Sequence, residues 1–510
     1  MNRLLQFTLI LIVALLFRTH SSFAQIQDLS KLANGELIFN DILWDENGKV
    51  FGYFYLFEND SNKKNKTMEY VILDKNLNKT FNGTFTIHHI RRVRGTRDLS
   101  ARYVNSSLIG TSHIMLSKNY YNSKLYMDGV PLVSSFQMIS LKDKTCSVEK
   151  VYRDGTVEDL NEKHPFFNVK GKLSTTIVHA VNNSSRKGFL VTRDKNSDFD
   201  VHLKFLDADH KLKWSYNYNP PRKKKRHNYA SFSVAAVGQK YLYLLLIHRV
   251  KGIPIDFTIA AVDFETGKEK YQYLFEDRNS QYSRTLHATE INNQLVVVGN
   301  YSDYSKKDFQ LDENKGFYKL ALDEEGKELQ LVYTKWSNFP ALQIDEDGRA
   351  EKKFRLRPTQ FYFFNDGKVS VLTEKYKPEN ATIIRALPKT SDFILFSMNK
   401  EFGTLSAHVI KKELSKTAAT DYLFHQYIKE DNGVAFFYGD YAVSENSNKK
   451  NWILGINTII DGKLTEEKIP ISSKNKYFIQ PYPAKEGYIM LREYNEKDKY
   501  NQVRLEKLNY

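Results

Sequence analysis

An apolar run closing on an acidic turn recurs along this chain, and that repetition limits the folds open to it. The unit reads Tyr70-Val71-Ile72-Leu73-Asp74, then His202-Leu203-Lys204-Phe205-Leu206-Asp207, Ile259-Ala260-Ala261-Val262-Asp263 and Tyr318-Lys319-Leu320-Ala321-Leu322-Asp323. Looser copies close on Asp143, Asn399 and Asp461. A second unit leads from a Gly or Asn turn into a longer apolar stretch: Gly48 into 51–57, Asn293 into 295–301, Gly367 into 369–376, Gly433 into 434–441 and Gly487 into 488–494. Asp, Asn and Gly suit tight hairpins, which need positive φ or a side chain bonded to its own backbone. Runs of β-branched and aromatic residues between such turns are strands.

The acidic turns follow one another at roughly 55–75 residues, the length of four strands with their loops and slightly longer than the compact repeats of propeller blades. Seven hairpins carry the turn, and an eighth, truncated repeat runs from about Tyr477 to Tyr510 without room for a fourth strand. Residues 26–32 belong to no repeat. A ring whose first and last blades share strands uses such a segment, because closure removes an exposed sheet edge. The expectation is an all-β chain: a single β-propeller of seven or eight four-stranded blades over 25–510, its N-terminal strand completing the C-terminal blade. Two β-sandwich domains are the alternative, but the spacing is even and no Pro/Gly/Ser-rich linker interrupts it. The irregular stretch 337–357 is expected as an inter-blade insertion.

One repeat carries a resemblance. Ala260-Ala261-Val262-Asp263-Phe264-Glu265-Thr266-Gly267-Lys268-Glu269-Lys270-Tyr271 is similar to a repeat of the quinoprotein-like (PQQ-type) propellers, in which an Asp and a Thr-Gly-Lys turn join two strands. As a whole the chain resembles uncharacterised exported bacterial β-propeller proteins. The resemblance implies a fold and no activity. Quinone dehydrogenases of that fold commonly carry adjacent cysteines near the cofactor, whereas Cys146 stands alone here, so no cofactor is expected. The WD dipeptide and the sialidase-type Asp box are missing as well.

Residues 1–24 read as a cleavable signal peptide. Arg3 gives positive charge, residues 4–17 form an apolar run of fourteen, and Ser22-Phe23-Ala24 places small residues at a cleavage site. As a helix that run covers roughly 21 Å, short of a hydrocarbon core about 30 Å thick. The mature chain is therefore expected without a membrane span, in the bacterial periplasm or secreted. A single cysteine allows no intramolecular disulfide, and a chain of this size buries enough core without one.

The formal charge is +15, and removal of Arg3 and Arg18 with the leader leaves +13. A basic balance favours anionic partners, here an anionic polysaccharide or an envelope protein, with nucleic acid not expected. The densest basic run is Arg222-Lys223-Lys224-Lys225-Arg226, directly after Pro220-Pro221. Metal and nucleophile motifs fail on spacing. No His-Glu-X-X-His or paired Cys suggests zinc. Asp345-Glu346-Asp347-Gly348 starts like a calcium loop, but Leu356 stands where a bidentate Glu is required. No Gly-X-Ser-X-Gly elbow occurs.

Three second-unit runs end alike: Glu374 with Tyr376, Asp440 with Tyr441, and Arg492 with Glu493 and Tyr494. Strands lining a channel would aim these residues at its opening. They and the 222–226 run are the candidate ligand-binding residues; no catalytic or metal residue is assigned. The preferred function is a non-enzymatic binding or scaffold propeller. The alternative is a propeller hydrolase holding two carboxylates in the central channel.

Overall fold

The computed structural model describes residues 26–509, other than 46, 62–64, 89–98, 123–132, 154–155, 161–177, 181–187, 193–200, 219–227, 251–252, 305–312, 352–353, 378–388, 416–420, 429–431, 444–449 and 472–476. The leader assigned to 1–24 and the basic run 222–226 lie outside the described residues. No helix among the described residues is long and apolar enough to cross a membrane.

The strands group into eight antiparallel sheets, which settles the blade number at eight. Blade 1 is built from Glu36–Trp44, Val50–Ser61, Asn65–Asp74 and Lys79–His88 in sequence order. Blades 2 to 7 span 99–159, 178–218, 228–277, 282–335, 349–410 and 422–470. Blade 8 has three C-terminal strands, Phe478–Pro483, Tyr488–Asn495 and Tyr500–Lys507. Its fourth is Ile26–Asp28, pairing antiparallel in the register Ile26↔Arg504, Gln27↔Val503, Asp28↔Gln502. The closing strand read from the sequence is therefore present, on the outer edge of the last blade.

Three blades exceed four strands. Thr156–Asp159 is added outside blade 2, and Tyr282–Arg284 and His287–Ile291 both pair with Gln294–Asp303 in blade 5. Arg349–Ala350 precedes the first long strand of blade 6, Phe354–Phe363. The stretch 337–357 is thus only partly an insertion: 3₁₀ turns at Trp336–Asn338 and Pro340–Leu342 lead into that added strand.

The acidic turns join third to fourth strands, and their chemistry is local. One Asp74 carboxylate oxygen accepts the N–H groups of Asn76 and Asn78, both at 2.8 Å. Asp207 does the same for Asp209 and Lys211, and Asp323 for Glu325 and Lys327. The side chain thereby satisfies donors that the tight turn leaves without ladder partners. In the Thr-Gly-Lys turn, Asp263 holds Thr266 through both N–H and hydroxyl. Gly267 there has φ +70, and a Cβ would come within 2.8 Å of Trp214 in the preceding blade. Trp214 in turn donates its indole N–H to the Phe264 carbonyl at 2.7 Å. The motif resembling quinoprotein repeats is here a device for docking one blade on the next.

The second strand of each blade is apolar on both sides because it meets a neighbour on each. In Tyr241–Val250, Leu242, Leu244 and Leu246 pack with Leu203, Phe205 and Trp214 of blade 3. Tyr241 and Tyr243 pack with Leu295, Val297 and Tyr318 of blade 5. Such strands read as continuous apolar runs rather than alternating ones. Each of the eight junctions has its own cluster, including the seam between blades 8 and 1. The first strands of blades 1 and 2, of blades 4 and 5, and of blades 7 and 8 lie side by side, so second strands lie one layer out. Antiparallel order puts the hairpins that close first-to-second and third-to-fourth strands on one face, and the blade-to-blade linkers on the other.

Candidate functional site

Glu374 and Asp440 end second strands on the linker face, away from the layer nearest the axis. Both look into the junction between blades 6 and 7, and both hold the linker that joins those blades. The Glu374 and Lys412 side chains are 0% exposed, with Lys412 Nζ 3.4 Å from Glu374 Oε1. Arg357 donates to the other Glu374 oxygen at 3.2 Å, and Lys412 also pairs with Asp421. Burial pushes the Glu374 carboxyl above its ordinary range, against the pull of Lys412 and Arg357. Asp440 accepts the Glu413 N–H at 2.9 Å and Lys468 Nζ at 2.8 Å. Lys468 reaches back to the Lys411 carbonyl at 2.8 Å.

Asp392 completes the set, accepting from Lys375 Nζ, Lys411 Nζ and the Lys412 N–H at 3.1–3.3 Å. Burial alone would raise its pKa, but these donors outweigh it and the carboxyl is held below its usual range. Tyr376 is buried beneath the Arg357 guanidinium, 5.3 Å from its ring centroid. The residues brought together here are thus Glu374 and Asp440, each engaged by cations. The arrangement fixes the linker between blades 6 and 7.

The other candidates lie at the linker-face ends of blades 7 and 8. Tyr441 packs at a 41° tilt against Trp452, its partner across the sheet, with centroids 4.4 Å apart. Trp452 is 54% exposed. Position 439, beside the indole, is glycine; a Cβ there would sit 3.1 Å from Cζ3. In blade 8, Tyr494 stacks on Phe478 at 5.7 Å, and Phe478 is 71% exposed. Arg492 lies 4.9 Å over the Tyr494 ring and bridges to Asn501 at 2.9 Å and to Asn40 of blade 1 at 3.1 Å. Glu493 is paired with Arg504 at 3.1 Å. Trp452 and Phe478 were not singled out by the sequence reading.

His425 lies on the first strand of blade 7, with Nδ1 2.7 Å from the Tyr422 hydroxyl. Burial lowers its pKa to about 4. The imidazole is therefore neutral in the fold where an unfolded chain, at about 6.5, begins to take up a proton. Stability from this group is whole above pH 6.5 and is lost as pH falls toward 4, by up to about 3 kcal/mol. Urea midpoints between pH 7 and 4 should show that loss, and His425→Gln should flatten it.

Among the described residues no group of three His, Cys, Asp or Glu is arranged to hold a metal ion. Asp345 spends one carboxylate oxygen on the N–H groups of Asp347 and Arg349, as the turn aspartates do.

Solved structures similar to this one match at low identity and low TM-score. A europium-containing methanol dehydrogenase matches at 9% identity and TM-score 0.38, covering 95% of this chain and 93% of that one. Polysaccharide lyase Uly1 matches at 8% and 0.34, covering 94% and 91%. A prolyl endopeptidase matches at 8% and 0.36, with 91% of this chain spanning 55% of that one. No curated protein matches the sequence. A family model does match, over residues 1–387 and 379–509, and the chain belongs to that family, the family of unknown function DUF6770.

Proposed function

We propose that the protein is an exported binding propeller that takes an acidic glycan on its linker face, at the ends of blades 7 and 8. The observation that carries this reading is Trp452, more than half exposed and backed by Tyr441. A large apolar ring open to water and packed against a second aromatic is a surface for the C–H face of a sugar. Phe478 on Tyr494 offers a second such ring on the next blade. Arg492 beside it and the formal charge of +13 on the chain without residues 1–24 (+15 less Arg3 and Arg18) favour carboxylated or sulfated sugars over neutral ones. The leader at 1–24 would deliver the chain to where such polymers occur. The likeness of the Asp263–Lys268 turn to quinoprotein repeats supports a common way of docking blades and assigns no redox step.

Affinity electrophoresis in native gels tests the proposal. The mature protein should be retarded by alginate or polygalacturonate and run freely in dextran, while Trp452→Ala should run freely in all three. Equal migration of wild type in acidic and neutral gels would overturn it.

A further inference from the structure

Blade 8 turns a patch of fixed layout toward blade 1, at the linker-side end of their junction. Register places Phe478 across from Tyr494 and Tyr494 across from Asn501, with Gln480 across from Arg492. Side chains alternate along a strand, so these residues share one face. Farther down that face Tyr482, Met490 and Val503 pack against blade 1. Trp452 belongs to the neighbouring junction, in line with Leu454 and Ile456 against Ile489 of blade 8. Phe478 and Gln480 are exposed, and Arg492, Tyr494 and Asn501 are half-buried, so the patch is open to water.

Arg492 is held in this patch from three sides. Its guanidinium lies 4.9 Å from the Tyr494 ring centroid, donates Nε–H to Asn501 Oδ1 at 2.9 Å and donates from Nη1 to Asn40 Oδ1 of blade 1 at 3.1 Å. Of the five N–H donors of an arginine, those on Nη2 and the second on Nη1 have no acceptor among the described residues. No carboxylate among the described residues pairs with it: Glu493, next in sequence, lies on the opposite face and is taken by Arg504 at 3.1 Å. A guanidinium fixed by two neutral amides, its charge uncompensated, is a receptor for an anion. Its donors lie in one rigid plane, which matches the two oxygens of a carboxylate. The Tyr494 ring closes one side of that plane, where a sulfate ester would place a third oxygen. Given the glycan surface proposed above, on which this rests, we propose that the patch is its uronic-acid subsite: Arg492 takes the sugar carboxylate, and the exposed ring of Phe478 carries the pyranose. The ligand class thereby narrows from acidic sugars to carboxylated ones. Diagonal neighbours in a sheet, as Phe478 and Arg492 are, stand about 7–8 Å apart, the span of one sugar ring with its exocyclic carboxylate. Asn40 and Asn501 spend their oxygens on Arg492 and keep their amide N–H groups for sugar hydroxyls.

Calorimetry on the mature chain tests this with alginate tetramers, with the same tetramers after reduction of their carboxyl groups to alcohols, and with a glucan tetramer carrying as many sulfate esters as the first has carboxylates. Wild type should bind the uronate tetramer about tenfold or more tighter than either of the others, the worth of a charge-assisted hydrogen bond. Gln480→Glu puts a carboxylate directly across from Arg492 at an exposed position. It should pair with the guanidinium, keep the melting temperature and weaken the uronate tetramer about tenfold or more. Arg492→Gln should weaken it likewise and leave the reduced tetramer unchanged, with thermal melting to check the fold. Equal uronate affinity in folded Gln480→Glu, or sulfate binding as tight as uronate, would overturn the proposal. Trp452→Ala should instead weaken uronate and reduced tetramers alike, because it removes stacking and no charge. A loss in Trp452→Ala with none in Gln480→Glu therefore keeps the glycan surface and removes this subsite; no binding of any tetramer by wild type removes both.

Discussion

Shortening Leu29 to alanine is expected to destabilise the whole ring by about 3 kcal/mol, the cost of a cavity at a fully buried leucine. Leu29 is completely buried at the seam of blades 8 and 1, with Leu32, Tyr53, Tyr55, Met490, Val503 and Leu505. Asp28 locks the approach by accepting the Ser30 N–H at 3.1 Å, at the start of the 3₁₀ turn Leu29–Lys31. Removing 26–32 altogether should do more. It strips the cover from the strand Tyr500–Lys507 and exposes an unpaired edge, which invites pairing with a second chain. Urea unfolding and light scattering read both effects: a lower midpoint for Leu29→Ala, and concentration-dependent association for the deletion. A deletion variant that stays monomeric with an unchanged midpoint would mean that the ring does not depend on this strand.

The second large effect is expected at Lys412. Its ammonium is the shared counter-charge of Glu374 and Asp421 in a site closed to water. Lys412→Met leaves a buried carboxylate with Arg357 alone, and removing one member of a buried pair costs about 3–5 kcal/mol. Adding Glu374→Gln should recover part of that loss, because the stranded charge goes with it. A full additive loss in the double variant would show that the two side chains do not act as a pair.

The ring was legible because its signals are local. A turn aspartate such as Asp74 or Asp323 binds N–H groups two and four residues on, so its chemistry is written in consecutive residues. The eighth blade lacks such a turn because its fourth strand comes from the other end of the chain, and that absence marked residues 26–32 as the closing strand. The candidate site was legible only in part. Glu374 and Asp440 do stand at strand ends, yet which layer those strands occupy depends on packing around the axis. Their partners Lys412 and Lys468 lie 38 and 28 residues away in sequence. Trp452 looks like any strand aromatic until its neighbours across the junction are placed.

Tryptophan emission during titration with alginate oligomers tests the glycan surface most directly. Trp214 and Trp336 are buried and Trp44 is half-buried, which leaves Trp452 as the most exposed of the four indoles. Wild type should show a saturable change in emission, and Trp452→Ala should lose about tenfold or more in affinity measured by calorimetry, in line with one aromatic stacking contact. Unchanged affinity in a folded Trp452→Ala protein would contradict the assignment.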